Sequence, residues 1–143
     1  MSETVAIAAD HGGFELKSRL VPELRALGLD VLDLGTTSAE PVDYPDMAGR
    51  LAAAIEGGRA QRGVLICGTG IGMSVAVNRH RALRGALVHD GLTARLARQH
   101  NDANVLVLGG RLLGAELARD CLKTFFTTGF DGGRHARRVA KLS

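Results

Sequence analysis

GVLICGTGIGMS, residues Gly63–Ser74, decides how the rest of the chain is read. The apolar run Val64, Leu65, Ile66 delivers a cysteine, Cys67, into a glycine-rich loop. Gly68, Gly70 and Gly72 permit a tight turn and leave several backbone N–H groups free to converge on one point. Converging N–H donors suit an anion, or charge that develops during a reaction. A thiol beside such donors is stabilised as thiolate, the reactive form of cysteine. The segment therefore offers a base or nucleophile next to an oxyanion hole. Read alone, it also fits a structural strand-to-helix turn around a buried cysteine, since cysteine is among the most buried residue types. The spacing is G-x-G-x-G, not the dinucleotide G-x-G-x-x-G, and no Walker lysine follows.

Outward from this segment, short apolar runs alternate with helical patterns. Thr4–Ala9, Val31–Leu34, Gly63–Cys67, Arg84–Val88 and Val105–Leu108 read as five strands. The last three are continuous Val/Leu/Ile-rich runs, which suit strands covered on both faces of a parallel sheet. Phe14–Leu27, Tyr44–Glu56, Gly72–Arg79, Leu92–Gln99 and Ala115–Phe126 read as helices, followed by a basic helix over about 132–142. Asp43 or Tyr44 is placed to cap the second helix, with Pro45 in its first turn, where a missing N–H costs nothing. The alternation predicts an α/β fold, a Rossmann-like doubly wound five-stranded parallel sheet flanked by helices, in a single domain spanning residues 1–143. No repeat or linker divides it, and Gly35–Asp43 is short enough for one connection.

In such sheets the ligand lies outside the carboxyl ends of the strands. Polar and reactive residues gather there: Asp10-His11-Gly12-Gly13, Cys67-Gly68-Thr69, His89-Asp90 and Gly109-Gly110-Arg111. A further cluster, His100-Asn101-Asp102, closes the fourth helix. Each has a local reading as well: Asp10 as a helix cap, His100 as a cation favoured by the helix dipole. Their joint appearance beside the cysteine loop points to a site.

Composition narrows the function. The chain has 143 residues, enough for one core. There is no Trp and only one Tyr and four Phe, which speaks against base-stacking surfaces for single-stranded nucleic acid. No apolar run is long enough to span a bilayer, and no signal pattern opens the chain. Two cysteines, Cys67 and Cys121, suggest no disulfide framework, so a reducing, cytoplasmic setting is expected; Cys121 is expected in the core. All of the formal charge of +3 falls in Gly129–Ser143, which holds Arg134, Arg137, Arg138 and Lys141 against Asp131 alone. That tail suits a solvated helix or a weak nucleic-acid arm, and equally an anionic substrate, because arginine makes bidentate phosphate contacts.

The motifs AADHGG (Ala8–Gly13), DYPD (Asp43–Asp46), ICGTGIGMS (Ile66–Ser74), RQHNDANVLVLGGR (Arg98–Arg111) and GGRHARRV (Gly132–Val139) occur in this order over nearly the whole chain. Together they resemble the ribose-5-phosphate isomerase B and galactose-6-phosphate isomerase family. The resemblance implies an aldose–ketose isomerase of a sugar phosphate, free of metal and cofactor, with two chains building each site. It implies that Cys67 is the base moving a proton between C2 and C1 through a cis-enediolate. The N–H groups of Gly68, Gly70, Gly72, Met73 and Ser74, with the Thr69 hydroxyl, would hold the enediolate oxygens. His100 would give a proton to the ring oxygen on ring opening, and Asp10 and Asn101 would contact sugar hydroxyls. His11, Arg111, Arg134 and Arg138 match the phosphate-binding set, and Tyr44 matches an active-site position.

Another branch of that family has a glutamate at the position of Met73 and lacks the cysteine, so this chain resembles the cysteine type. Leu92 stands where some relatives carry an aromatic residue. Ribose 5-phosphate is the leading substrate, with allose 6-phosphate or galactose 6-phosphate as alternatives. Outside catalysis stand a non-catalytic sugar-phosphate-binding domain and a nucleic-acid binder using the basic tail. Because Cys67, His100 and the arginines occur in one chain, a self-sufficient homo-oligomer, a dimer or tetramer, is expected, with no nucleic-acid or membrane partner.

Overall fold

The computed structural model describes residues 2–143. Five strands, β1 (Thr4–Ala9), β2 (Asp30–Asp33), β3 (Arg62–Cys67), β4 (Gly85–Leu87) and β5 (Val105–Gly109), form one sheet in the order β2-β1-β3-β5-β4. Every pairing is parallel. Six helices cover it: α1 (Phe14–Ala26), α2 (Tyr44–Glu56), α3 (Ile71–Val77), α4 (Gly91–Asn101), α5 (Ala115–Phe126) and α6 (Arg134–Ala140). The expected architecture is the observed one.

The period of two along each strand sorts the apolar side chains into two cores. Val5, Ile7 and Ala9 of β1, Val64 and Ile66 of β3, and Leu106 and Leu108 of β5 point to one face. There they pack with Leu16, Leu20 and Leu24 of α1, Ala94 of α4, and Leu122 and Phe125 of α5. Ala6, Ala8, Leu65, Cys67, Val105 and Val107 point to the other face, against Met47 and Leu51 of α2 and Met73 and Val77 of α3. Both faces are sealed, which explains why the central strands read as unbroken apolar runs. Cys121 lies fully buried in the first core, as expected.

Differences from the sequence reading are confined to element ends. β4 is three residues long, and Asn78 clamps its outer edge by accepting from the Gly85 N–H at 2.9 Å and donating to the Gly85 carbonyl at 3.0 Å. Capping an edge strand in this way removes donors and acceptors that would otherwise template another strand. The basic helix is shorter than expected because Gly132 and Gly133 both have positive φ, 68° and 54°. Asp43 stands at the N-cap of α2 in extended backbone, yet its side chain makes no capping bond.

Building outward from β1, the chain adds β2 on one side and β3 on the other. The direction therefore reverses between β1 and β3, and a crevice opens at their carboxyl ends. Asp10 follows the first of these strands and Cys67 ends the second.

Candidate active site

Three loops close over that crevice through glycine contacts. The Gly110 N–H donates to the Cys67 carbonyl at 2.8 Å, and the Arg111 N–H to the Gly68 carbonyl at 2.9 Å. A Cβ on Gly12 would stand 3.1 Å from the Gly68 nitrogen, one on Gly110 2.7 Å from the Gly12 oxygen, and one on Gly109 2.6 Å from the Thr69 oxygen. Side chains are excluded there, so the loops after β1, β3 and β5 touch backbone to backbone.

The Asp10 carboxylate is 8% exposed and accepts from the N–H groups of Gly12 at 2.9 Å and Gly13 at 3.2 Å. It is thus a rigid acceptor inside its own turn; the N-cap of α1 is Gly13. His11 is exposed, with Nδ1 accepting from the Val42 N–H at 3.2 Å, which directs Nε2 outward. Arg111 lays its side chain over Gly68. Beside it a cavity of about 400 Å3 runs between Gly12, Glu15, Arg19, Gly110 and Arg111.

Cys67 ends β3 with its side chain turned toward the α2/α3 face, and its sulfur accepts from the Gly70 N–H at 3.1 Å. The contact fixes the sulfur beneath a backbone donor of the loop. Gly70 makes this bond from a left-handed conformation, φ +80°. Thr69 is exposed, and its Oγ1 accepts from the Ile71 N–H at 3.2 Å. The Tyr44 ring lies against Gly72, where a Cβ would come within 2.7 Å of it. Two expectations are refined. The Ser74 N–H donates to the Gly70 carbonyl at 2.9 Å, so it is already taken up in the first turn of α3 and is not free for a ligand. The Met73 side chain is fully buried in the α2/α3 core and takes no part in lining the crevice.

Burial, and then the carboxylates of Asp120 and Asp90, push the other thiol, Cys121, up to about 11. A buried thiol of that kind is inert. The His89-Asp90 pair also has a structural account. Asp90 caps α4, accepting from the Thr93 N–H at 2.7 Å and the Thr93 hydroxyl at 2.9 Å. These bonds hold its carboxyl below the usual range.

His100, Asn101, Arg134 and Arg138 do not join this cluster within one chain. α4 starts at the carboxyl edge of the sheet and runs back across it, so its last residues lie at the amino edge, beside the start of β5. Four strand steps from Gly63 to Cys67 put about 13 Å between the two edges. At the amino edge, Arg98, only 8% exposed, joins three segments. It donates to the Asp102 carboxylate at 2.9 Å, the Ala103 carbonyl at 2.6 Å and the Thr128 carbonyl at 3.1 Å. Its guanidinium also lies 5.7 Å from the centre of the Phe125 ring.

Asp102, the left-handed C-cap of α4 at φ 46°, is also approached by Arg84 at 3.5 Å. The Asp131 N–H donates to the Gln99 carbonyl at 3.0 Å and so brings α6 alongside. The imidazole of His135 then stacks on His100, with ring centres 4.3 Å apart and planes 13° from parallel. A groove of about 360 Å3 opens there, lined by His100, Asn101, His135, Arg138, Val139 and Leu142. Arg98 and His135 were within the quoted motifs, but spacing alone assigned them nothing. Among the described residues, no group of three or more His, Cys, Asp or Glu is placed to hold a metal ion, and no helix is long and apolar enough to cross a membrane.

The family model for ribose/galactose isomerases matches residues 5–142. The chain belongs to the ribose/galactose isomerase family. It is accordingly an aldose–ketose isomerase. Ribose-5-phosphate isomerase B of Escherichia coli is 42% identical over 139 residues, covering 97% of this chain and 93% of that protein. D-erythrulose-4-phosphate isomerase of Pectobacterium atrosepticum is 40% identical over 141 residues, covering 97% and 92%. Among solved structures, a ribose 5-phosphate isomerase of Thermotoga maritima superposes with a TM-score of 0.95 at 51% identity, covering 99% of this chain and 98% of that one. Members of this isomerase family thus share the sheet order and helix placement described above.

Proposed function

We propose that the chain interconverts ribose 5-phosphate and ribulose 5-phosphate, with Cys67 as the base. The observation that carries this reading is the Cys67 thiol under the Gly70 N–H, at the mouth of the switch-point crevice. A proton α to a carbonyl is weakly acidic, so its removal needs a positioned base and stabilisation of the oxyanion that forms. The Cys67 thiolate takes the C2 proton of the open-chain aldose, and the freed electron pair forms the C1=C2 bond of a cis-enediolate while charge moves to O1. The O2 proton passes to O1 with the help of the Thr69 hydroxyl. Cys67 then returns its proton to C1, leaving the carbonyl at C2. The loop N–H groups of Gly68, Gly72 and Met73 face the developing charge, and Asp10 receives sugar hydroxyls.

His100 supplies the proton that opens the sugar ring, and Asn101 holds hydroxyls beside it. His11 and Arg111 from one edge, and Arg134 and Arg138 from the other, bind the phosphate dianion. Charge-assisted bonds there orient the reacting end. Because these two sets lie at opposite edges of the sheet, a complete site takes the carboxyl edge of one chain and the amino edge of another. The working unit is therefore a homo-oligomer, with a dimer as its smallest form.

Purified protein is expected to turn over ribose 5-phosphate without added metal or nucleotide, and faster than allose 6-phosphate or galactose 6-phosphate. Turnover of a six-carbon substrate alone would keep the chemistry and replace the substrate. Binding of both without turnover would favour a non-catalytic role. The two-chain site has its own check. Cys67→Ala and His100→Ala proteins, each inactive, are mixed, dissociated and reassociated. Random pairing gives one intact site in each mixed dimer, so activity returns to about a quarter of wild type. No recovery at all would mean that each site lies within one chain.

A further inference from the structure

We infer that His135 is a positioning residue for the ring-opening acid: its stacked imidazole fixes the plane in which His100 faces the groove. The inference rests on the proposed role of His100. The geometry behind it is the 4.3 Å, near-parallel stack of the two rings at the wall of the Arg138 groove. Parallel stacking removes the ring's rotation about its side-chain bonds, so the donor nitrogen is presented to the groove in one orientation. Two facing imidazoles repel when both are cationic, so the stack is held best when the His135 ring is neutral.

The surroundings of His135 favour its neutral form. Desolvation, the facing His100 of α4, and Arg134 and Arg138 on α6 all hold the His135 proton affinity down, opposed only by Asp131 before the helix. The His135 ring is thus biased toward the neutral form, and its flat face backs the His100 ring.

The step it serves balances as follows. The C1–O4 bond of the furanose breaks, its electron pair goes to O4, and O4 takes the proton from His100. O1 loses its proton to water and becomes the aldehyde oxygen, and His100 regains a proton from solvent. A ring held at the wrong angle slows this step and leaves proton abstraction by Cys67 untouched.

The test compares His135→Ala and His135→Phe with wild type, and with His100→Ala as the control on the underlying reading. Two rates are measured: net turnover of ribose 5-phosphate, and deuterium wash-in at C1 of ribulose 5-phosphate in D2O. The second substrate has no free hydroxyl that can close a five-membered ring, so its exchange reports only the Cys67 step.

His135→Ala is expected to lose roughly tenfold in kcat for ribose 5-phosphate, less than the hundredfold or more that a placed general acid supplies, because His100 itself remains. KM and the wash-in rate should stay within about twofold of wild type by the same argument. His135→Phe, which keeps a neutral ring in the stack, should recover most of the loss. A loss confined to KM, an equal loss in both rates, or a phenylalanine variant as poor as alanine would overturn the inference. If instead His100→Ala turns over ribose 5-phosphate like wild type, the reading of His100 fails first, whatever His135 does.

Discussion

Replacing Cys67 with alanine is expected to lower ribose 5-phosphate turnover by about a thousandfold or more, the middle of the range for loss of a placed general base. The same variant should keep its fold. Cys67 is 5% exposed, but its sulfur fills little volume beside Met47 and Met73 in the α2/α3 core. The unfolding midpoint should move by no more than about 5 °C, the shift produced by a loss of one or two kcal/mol in a chain of this size. Substrate affinity, measured by calorimetry in the inactive variant, should remain because the phosphate groups are untouched. Turnover near wild type would remove Cys67 from the role of base. Loss of turnover together with collapse of the midpoint would make the residue structural.

Gly70→Ala carries the second large effect, and it strikes stability and chemistry together. The residue sits at φ +80°, where a side chain costs about 1–2 kcal/mol. Its Cβ would also come within 2.5 Å of Leu87 Cδ1 and 3.1 Å of the Leu108 carbonyl carbon, overpacking worth about 1–3 kcal/mol. A denaturant titration should therefore show a loss of about 2–5 kcal/mol. Relief of the clash shifts the loop and draws the Gly70 N–H away from the Cys67 sulfur, so kcat should fall about a hundredfold, as when one oxyanion donor is lost. An alanine variant with wild-type stability would contradict the loop conformation. One that is destabilised yet fully active would detach the N–H from catalysis.

Much of this molecule can be read without coordinates, for a definite reason. The runs Val64–Ile66 and Val105–Leu108 are apolar at every position because both faces of their strands are covered, which is why a parallel sheet was legible in them. Asp10, Cys67 and Arg111 follow successive inner strands, so the rule that ligands gather at strand carboxyl ends found them together. The limits of β2 and β4 were less legible. Leu34 was read as strand, and its N–H does bond the Ile7 carbonyl at 2.9 Å, but the ladder itself ends at Asp33.

The separation of His100 from Cys67 was not visible in either motif. Helical spacing shows that His100 ends α4, whereas the edge of the sheet on which that end lies depends on strand direction. The stack of His135 on His100 was further out of reach. It depends on α6 being drawn to α4 by the Arg98–Thr128 and Asp131–Gln99 bonds, between residues that no periodicity relates.

The glycine contacts among the loops after β1, β3 and β5 limit how this family can diversify. Backbone pressed on backbone has no side chain to trim or enlarge, so these loops cannot be widened one substitution at a time. A longer or shorter sugar has to be accommodated on the other wall of the crevice. That wall includes Tyr44, which packs on Gly72 and is 40% exposed. On the proposed reading of Cys67, the reacting carbons then meet a fixed floor, and adaptation to a new substrate is expected to resculpt the rim.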